Sequence, residues 1–308
     1  MSSQEVKDYT ACLLDEKEPI AKRMRTVFLL KQIGSEEAIA ALAKALPSPS
    51  VLLAHETAYC MGQLRNTYAI PFLTAALEDS KLDTIVRHEA GEALGAICSP
   101  ESIPVLEKYV NSDIRELAET CQIAVDLIRL KQDKDYKETS DPNGIFHSHD
   151  PAPPAEETDI NVLRTRLLDS SLPLFKRYRA MFSLRNLCSD EAVLALAEGF
   201  SDSSTLFKHE IAYVFGQMCH RASIPALKAV LQDAEEHPMV RHEAAEALGG
   251  IGDDSITAFL QSFQHDSNPI VRYLTIFHLS SSLILSFQYS LELISLYIYI
   301  CLCSGCLT

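Results

Sequence analysis

The sequence predicts an all-α solenoid of helical hairpins, built as two pseudo-symmetric halves of about four repeats each. A long internal repeat, a shorter one nested inside it, and helical spacing of the apolar residues together predict this. VLLAHETAYCMGQLRNTYAIPFLTAAL, from Val51, matches TLFKHEIAYVFGQMCHRASIPALKAVL, from Thr205, at a shift of 154. IVRHEAGEALGAI, from Ile85, matches MVRHEAAEALGGI, from Met239, at the same shift. Within each half, His55 to His88 and His209 to His242 both span 33 residues. A period of that size signals stacked supersecondary units, none of which can bury its apolar face alone.

Each unit reads as two helices. The first places Ala, Leu, Ile and Gly at helical spacing, as in HEAGEALGAI. Gly62, Gly95, Gly216 and Gly249 fall inside these helices, where glycine costs stability, so close helix packing is the expected reason. The second helix opens with Ile-Pro, at Pro71, Pro104 and Pro225. Proline suits a first helical turn because its missing N–H has no intrahelical partner there. No stretch of the body alternates as a strand would.

The halves are expected at residues 1–130 and 161–272. Between them, residues 131–160 are charged and rich in Pro, with few large apolar groups, and read as a flexible linker. Residues 273–308 form an atypical apolar tail. From Leu279 to Cys303 its only charge is Glu292, a length that could span a bilayer. The preferred reading is an abnormal end from splicing or gene-model error, with a membrane anchor as the alternative.

Acidic residues outnumber basic ones, 42 to 27, giving a net charge of −15. A nucleic-acid binder needs cations to displace counterions, so that class is excluded, while a cationic partner or substrate is favoured. The nine Cys form no disulfide framework, and the polar N-terminus has no signal-peptide pattern, which together read as cytoplasmic.

Four of the ten His are followed directly by Glu, giving His55-Glu56, His88-Glu89, His209-Glu210 and His242-Glu243. They occupy the second and third units of each half. The flanking units carry Met24-Arg25, Tyr178-Arg179 and Glu116-Leu117 instead. A single such pair is usually a solvated patch. Copying alone would not confine four of them to the middle units. Imidazole and carboxylate together suit iron, manganese or zinc. Adjacent helical residues diverge by about 100°, so one pair cannot chelate alone, but stacked helices can pool their ligands. Two halves facing each other would then form a dinuclear site. Glu92 and Glu246 follow by three residues on the same face, as ligand-orienting partners or as surface residues. His147 and His149, in the linker, read as solvated.

These pairs, with VRHEAGEALGAI, VRHEAAEALGGI, HETAYCMGQL, HEIAYVFGQM, KRMRTVFLL and KRYRAMFSL, resemble the deoxyhypusine hydroxylase family over roughly residues 10–272. The resemblance implies a HEAT-like repeat dyad and a cytoplasmic monooxygenase with two non-haem Fe2+ ions and dioxygen as co-substrate. Its implied partner is the deoxyhypusine form of translation initiation factor 5A, with an external reductant and no membrane or nucleic acid. The metal residues carried over are His55, Glu56, His88, Glu89, His209, Glu210, His242 and Glu243. His55, His88 and Glu89 are expected to hold one iron, and His209, His242 and Glu243 the other. Glu56 and Glu210 are expected to face the cationic arm of the substrate as catalytic residues. The alternative is a non-catalytic HEAT-repeat scaffold that binds a protein partner. A zinc or manganese hydrolase and a repeat-type chromophore lyase are further rivals.

Overall fold

The computed structural model describes residues 3–137, 146, 148–252 and 254–272, and all of their regular structure is helical. The repeats in the sequence map onto fifteen α-helices among these residues. In the first half they are α1 (Ser3–Leu14), α2 (Ile20–Ile33), α3 (Glu36–Ala43), α4 (Val51–Gln63), α5 (Ile70–Glu78), α6 (Thr84–Ile97), α7 (Ile103–Glu107) and α8 (Arg115–Gln132). In the second they are α9 (Ile160–Leu168), α10 (Leu174–Leu187), α11 (Asp190–Ala197), α12 (Thr205–Met218), α13 (Ile224–Gln232), α14 (Pro238–Ile251) and α15 (Asp254–Gln261). The chain divides into two compact units. One is built on residues up to Lys137 and takes in His149–Pro151; the other runs on from Ala152.

Local chemistry sets the helix ends. Side chains of Ser35, Ser50, Asp83, Ser189 and Ser204 accept from backbone N–H groups in the first turn that follows them. Each such cap satisfies a donor the helix cannot, worth about 1 kcal/mol. The Ile-Pro helices α5, α7 and α13 each begin after a one-turn 3-10 segment, capped by Asn66, Ser99 and His220 respectively. Three of the four helices that carry the His-Glu motif close differently. Cys98, Cys219 and Gly252 end α6, α12 and α14 in the left-handed conformation.

In the first unit, α2, α4, α6 and α8 stack in succession, with α4 against α6 and α6 against α8 the most extensive pairings. Two glycines permit this approach. A Cβ on Gly62 would lie 2.6 Å from Ala93 Cα, and one on Gly95 would lie 2.8 Å from Ala124 Cβ. Close packing is therefore the reason for glycine here, as the sequence suggested. In the second unit α12 packs on α14, and Gly216 is looser, 3.4 Å from Ala247 Cα.

One tether recurs in four repeats. The buried Arg23, Arg87, Arg177 and Arg241 each donate from Nε to a carbonyl ten residues earlier, on Leu13, Leu77, Leu167 and Leu231, at 2.8–3.1 Å. Such charge-assisted bonds contribute about 1.5–3 kcal/mol each. They tie the starts of α2, α6, α10 and α14 to the ends of the helices before them. In Arg87-His88 and Arg241-His242, the tethered residue immediately precedes a candidate ligand.

The linker differs from expectation at its ends. Helix α8 continues to Gln132, inside the expected linker. Pro151, Ala152 and Pro153 are buried, and the Pro153 and Pro154 carbonyls accept from Arg179 at 3.2 and 3.1 Å. Ala155 N donates to Arg179 O, and its carbonyl accepts from Ser183 Oγ. A Pro-Ala run has apolar surface to bury and few N–H groups to satisfy, so a short stretch docks despite polar neighbours. The rest of the expected linker around residues 138–145 and the tail at 273–308 lie outside the described residues. Among the described residues, no helix is long and apolar enough to cross a membrane.

Candidate metal centre

The four His-Glu pairs lie on α4, α6, α12 and α14, and all eight residues are buried, none more than 6% exposed. Burial of four carboxylates is costly unless each meets a compensating charge or donor. In the first unit, stacking of α4 on α6 brings residues of two repeats together. His55 Nε2 lies 3.1 Å from Glu89 Oε2, and His88 Nε2 lies 3.6 Å from the same oxygen. The two imidazole rings are stacked, with centroids 6.5 Å apart and an interplanar angle of 30°. Glu89 thus pairs with an imidazole of the neighbouring repeat more closely than with that of its own dipeptide.

The far nitrogens of both rings are held as well. His55 Nδ1 is 3.2 Å from Glu56 Oε1, and His88 Nδ1 is 2.8 Å from Thr120 Oγ1 on α8. Burial favours neutral His55, but the charge of Glu89 and the hydrogen bonds to Glu56 and Glu89 outweigh it and raise its pKa well above the usual histidine value.

The second unit repeats the arrangement with altered spacing. His209 Nε2 is 3.1 Å from Glu243 Oε2, while His242 Nε2 is 3.9 Å from it. The ring centroids are 5.6 Å apart at 36°. Here the half-buried Glu246, one turn along α14, joins the cluster, with donor atoms of His242, Glu243 and Glu246 all within 4.8 Å of one another. In the first unit the corresponding group is His55, His88 and Glu89. Glu56 and Glu210 fall outside both of these groups.

The donor chemistry fits a transition-metal ion. Metal–nitrogen and metal–oxygen bonds of about 2.1 Å place neighbouring ligand atoms about 3 Å apart. The Nε2 and carboxylate atoms here lie 3.1–3.9 Å apart, close to that spacing. Mixed imidazole and carboxylate sets suit iron, manganese and zinc. The sequence singled out these eight residues as candidates and left Glu246 open. It missed Thr120, which stands 32 residues from His88 in a repeat that lacks the motif. His149 is half-buried and belongs to neither donor group; its backbone N–H donates to Gln63 Oε1 at 2.9 Å, and burial lowers its pKa. His147 lies outside the described residues.

Comparison with known proteins places this geometry in context. The HEAT repeats family matches residues 43–124 and 191–280, and the PBS lyase HEAT-like repeat matches residues 176–202. The chain is 47% identical to deoxyhypusine hydroxylase from Homo sapiens, over 88% of this chain and 89% of the relative. Identity to the protein of that name from Danio rerio is 47%, over 84% of this chain and 86% of the relative. For Candida albicans it is 45%, over 88% and 92%. The fold superposes on the structure of human deoxyhypusine hydroxylase in complex with glycerol with a TM-score of 0.86, at 46% identity, covering 90% of this chain and 95% of that one.

Proposed function

The chain belongs to the deoxyhypusine hydroxylase family, and from that premise we propose that it converts the deoxyhypusine side chain of translation initiation factor 5A to hypusine, with dioxygen as co-substrate at two non-haem ferrous ions. The observation that carries this reading is the pooling of buried His and Glu donors across stacked repeats, once in each half. In this reading the enzyme is an oxidoreductase acting in the cytoplasm.

His55, His88 and Glu89 would hold one iron, and His209, His242 and Glu243 the other. When bound, the irons supply dioxygen activation and oxidation of a C–H bond. The net change inserts one oxygen atom into that bond and reduces the second to water, using two electrons and two protons. An external reductant provides the electrons, since the sequence carries no flavin or nicotinamide fingerprint.

The chain's own residues bind and orient. Glu89 and Glu243 present carboxylates to imidazoles of adjacent repeats, so helix stacking itself sets the ligand spacing. Glu56 holds the Nδ1 side of His55, which leaves Nε2 directed at Glu89. Its position beyond the His55–His88–Glu89 group supports a role outside the metal shell. Glu56 and Glu210 would then set the cationic nitrogens of the substrate arm against the centre, and buried carboxylates attract such charge strongly because little water screens them. The surplus of acidic residues would also speed the arrival of a cationic side chain.

The first test is iron per chain, in the parent and in His88→Ala/His242→Ala, together with mass analysis of the deoxyhypusine-bearing factor after reaction with dioxygen and reductant. Two irons and gain of one oxygen in the parent, both lost in the variant, are expected. A folded parent that binds no iron would sink the proposal and leave the protein-binding scaffold.

A further inference from the structure

The hydroxyl of Thr120 makes an unusual choice for a helical threonine. Thr10, Thr26, Thr57 and Thr165 each donate to the carbonyl four residues back in their own helix. That local bond is the default for a hydroxyl in a helix. Thr120 Oγ1 is instead turned across the stack to His88 Nδ1, at 2.8 Å, with the threonine 3% and the histidine 0% exposed. A bond of this length between two buried groups fixes the ring's rotation about its own axis.

It also bears on where the ring proton sits. A neutral imidazole has one N–H and one lone pair. His88 Nε2 faces Glu89, and through it His55 of the neighbouring repeat. A metal ion held among these groups needs the Nε2 lone pair, and therefore the proton on Nδ1. A hydroxyl oxygen is a competent acceptor for that proton. Metal-bound histidines generally depend on such a partner, and its removal costs about 10–100-fold in metal affinity.

We propose that Thr120 is a positioning residue of the metal centre: its hydroxyl accepts the His88 Nδ1–H hydrogen bond, and so holds the ring in the orientation and tautomer that offer Nε2 to the metal of the first half. The inference rests on the iron-binding reading above. It concerns α8, a helix that carries no His-Glu pair, and it makes the fourth repeat part of the site. Gly91, one turn from His88, leaves room for Thr120 to approach, since a Cβ there would lie 3.2 Å from Thr120 Cγ2.

The test is titration of the metal-free full chain with cobalt(II) alone, followed by its visible absorption, for the parent, Thr120→Val and Thr120→Ser. Valine keeps the shape and removes the hydroxyl, whereas serine keeps the hydroxyl and removes the methyl. The expected result is a fall of about 10–100-fold in affinity for one of two cobalt equivalents in Thr120→Val, with near-parental binding in Thr120→Ser. Circular dichroism checks that each variant is folded, and Thr120→Ala replaces valine if valine does not fold. Parental affinity in the hydroxyl-free variant overturns the proposal, as does equal weakness of valine and serine, which would make the contact one of packing. A parent that takes up no cobalt fails at an earlier step and overturns the metal reading itself.

Discussion

Glu89 Oε2 lies 3.1 Å from His55 Nε2, on the preceding motif helix, and 3.6 Å from the Nε2 of its own neighbour His88. The second half keeps the cross-repeat contact, His209 to Glu243 at 3.1 Å, but relaxes the contact within the dipeptide to 3.9 Å. Each carboxylate therefore serves two repeats. Glu89→Gln should release the iron of the first half and retain that of the second, and Glu89→Gln/Glu243→Gln should release both. Elemental analysis of protein purified under nitrogen checks this. Full iron in the double variant would show that these carboxylates are not ligands.

Two glycines at equivalent places should respond to alanine with opposite signs. Alanine in place of glycine favours a helix by about 1 kcal/mol. At Gly62 the new methyl would meet backbone, 2.6 Å from Ala93 Cα, and α4 would have to move off α6. Overpacking of this kind costs about 1–3 kcal/mol, so Gly62→Ala should destabilise the protein and loosen the metal group. At Gly216 the nearest atom is 3.4 Å away, an ordinary contact, so Gly216→Ala should be neutral or mildly stabilising. Urea melts at fixed metal loading compare the two.

Arg241 ties its helix to Asp266 as well as to Leu231, with Nη2 2.6 Å from Asp266 Oδ2. Burial would raise the Asp266 pKa, but bonds from Arg241 and from the Asn268 N–H outweigh it and hold the carboxyl below its usual value. A depressed folded-state pKa gives stability that is present above the unfolded value, about 3.9, and is lost as pH falls through the folded value. Asp266→Asn should thus be less stable than the parent by a constant margin at neutral pH. The margin should close only in acid, below about pH 4. A margin unchanged down to the folded-state value would mean that the charge on Asp266 contributes nothing.

Cys188 closes α10 with φ of +47°, a left-handed conformation that costs a residue with a Cβ about 1–2 kcal/mol. Glycine adopts it freely but loses more entropy on folding. Cys188→Gly should therefore raise stability by a net of about 0.5–1 kcal/mol, read as a higher Tm at constant metal content. A lower Tm would show that side-chain contacts of the thiol outweigh the backbone cost.

The sequence by itself determined the repeat, the helical hairpins and the identity of the eight candidate ligands. Those features are local or periodic: a 3.6-residue pattern reports which face of a helix is buried, and a shift of 154 reports which residues share a position. Even the reason for Gly62 and Gly95 was legible, because glycine inside a helix is costly enough to need a packing cause. Tertiary structure alone decided which groups meet. The partner of His55 is Glu89, 34 positions on, because α4 rests on α6 at the distance Gly62 and Ala93 allow. Thr120 reaches His88 from a repeat without the motif, and Pro151–Ala155 dock where composition suggested a loose linker. Such contacts depend on the offset and rotation between neighbouring helices. Those are set by the sum of many side-chain volumes across the interface, and no single periodicity in one chain segment encodes them.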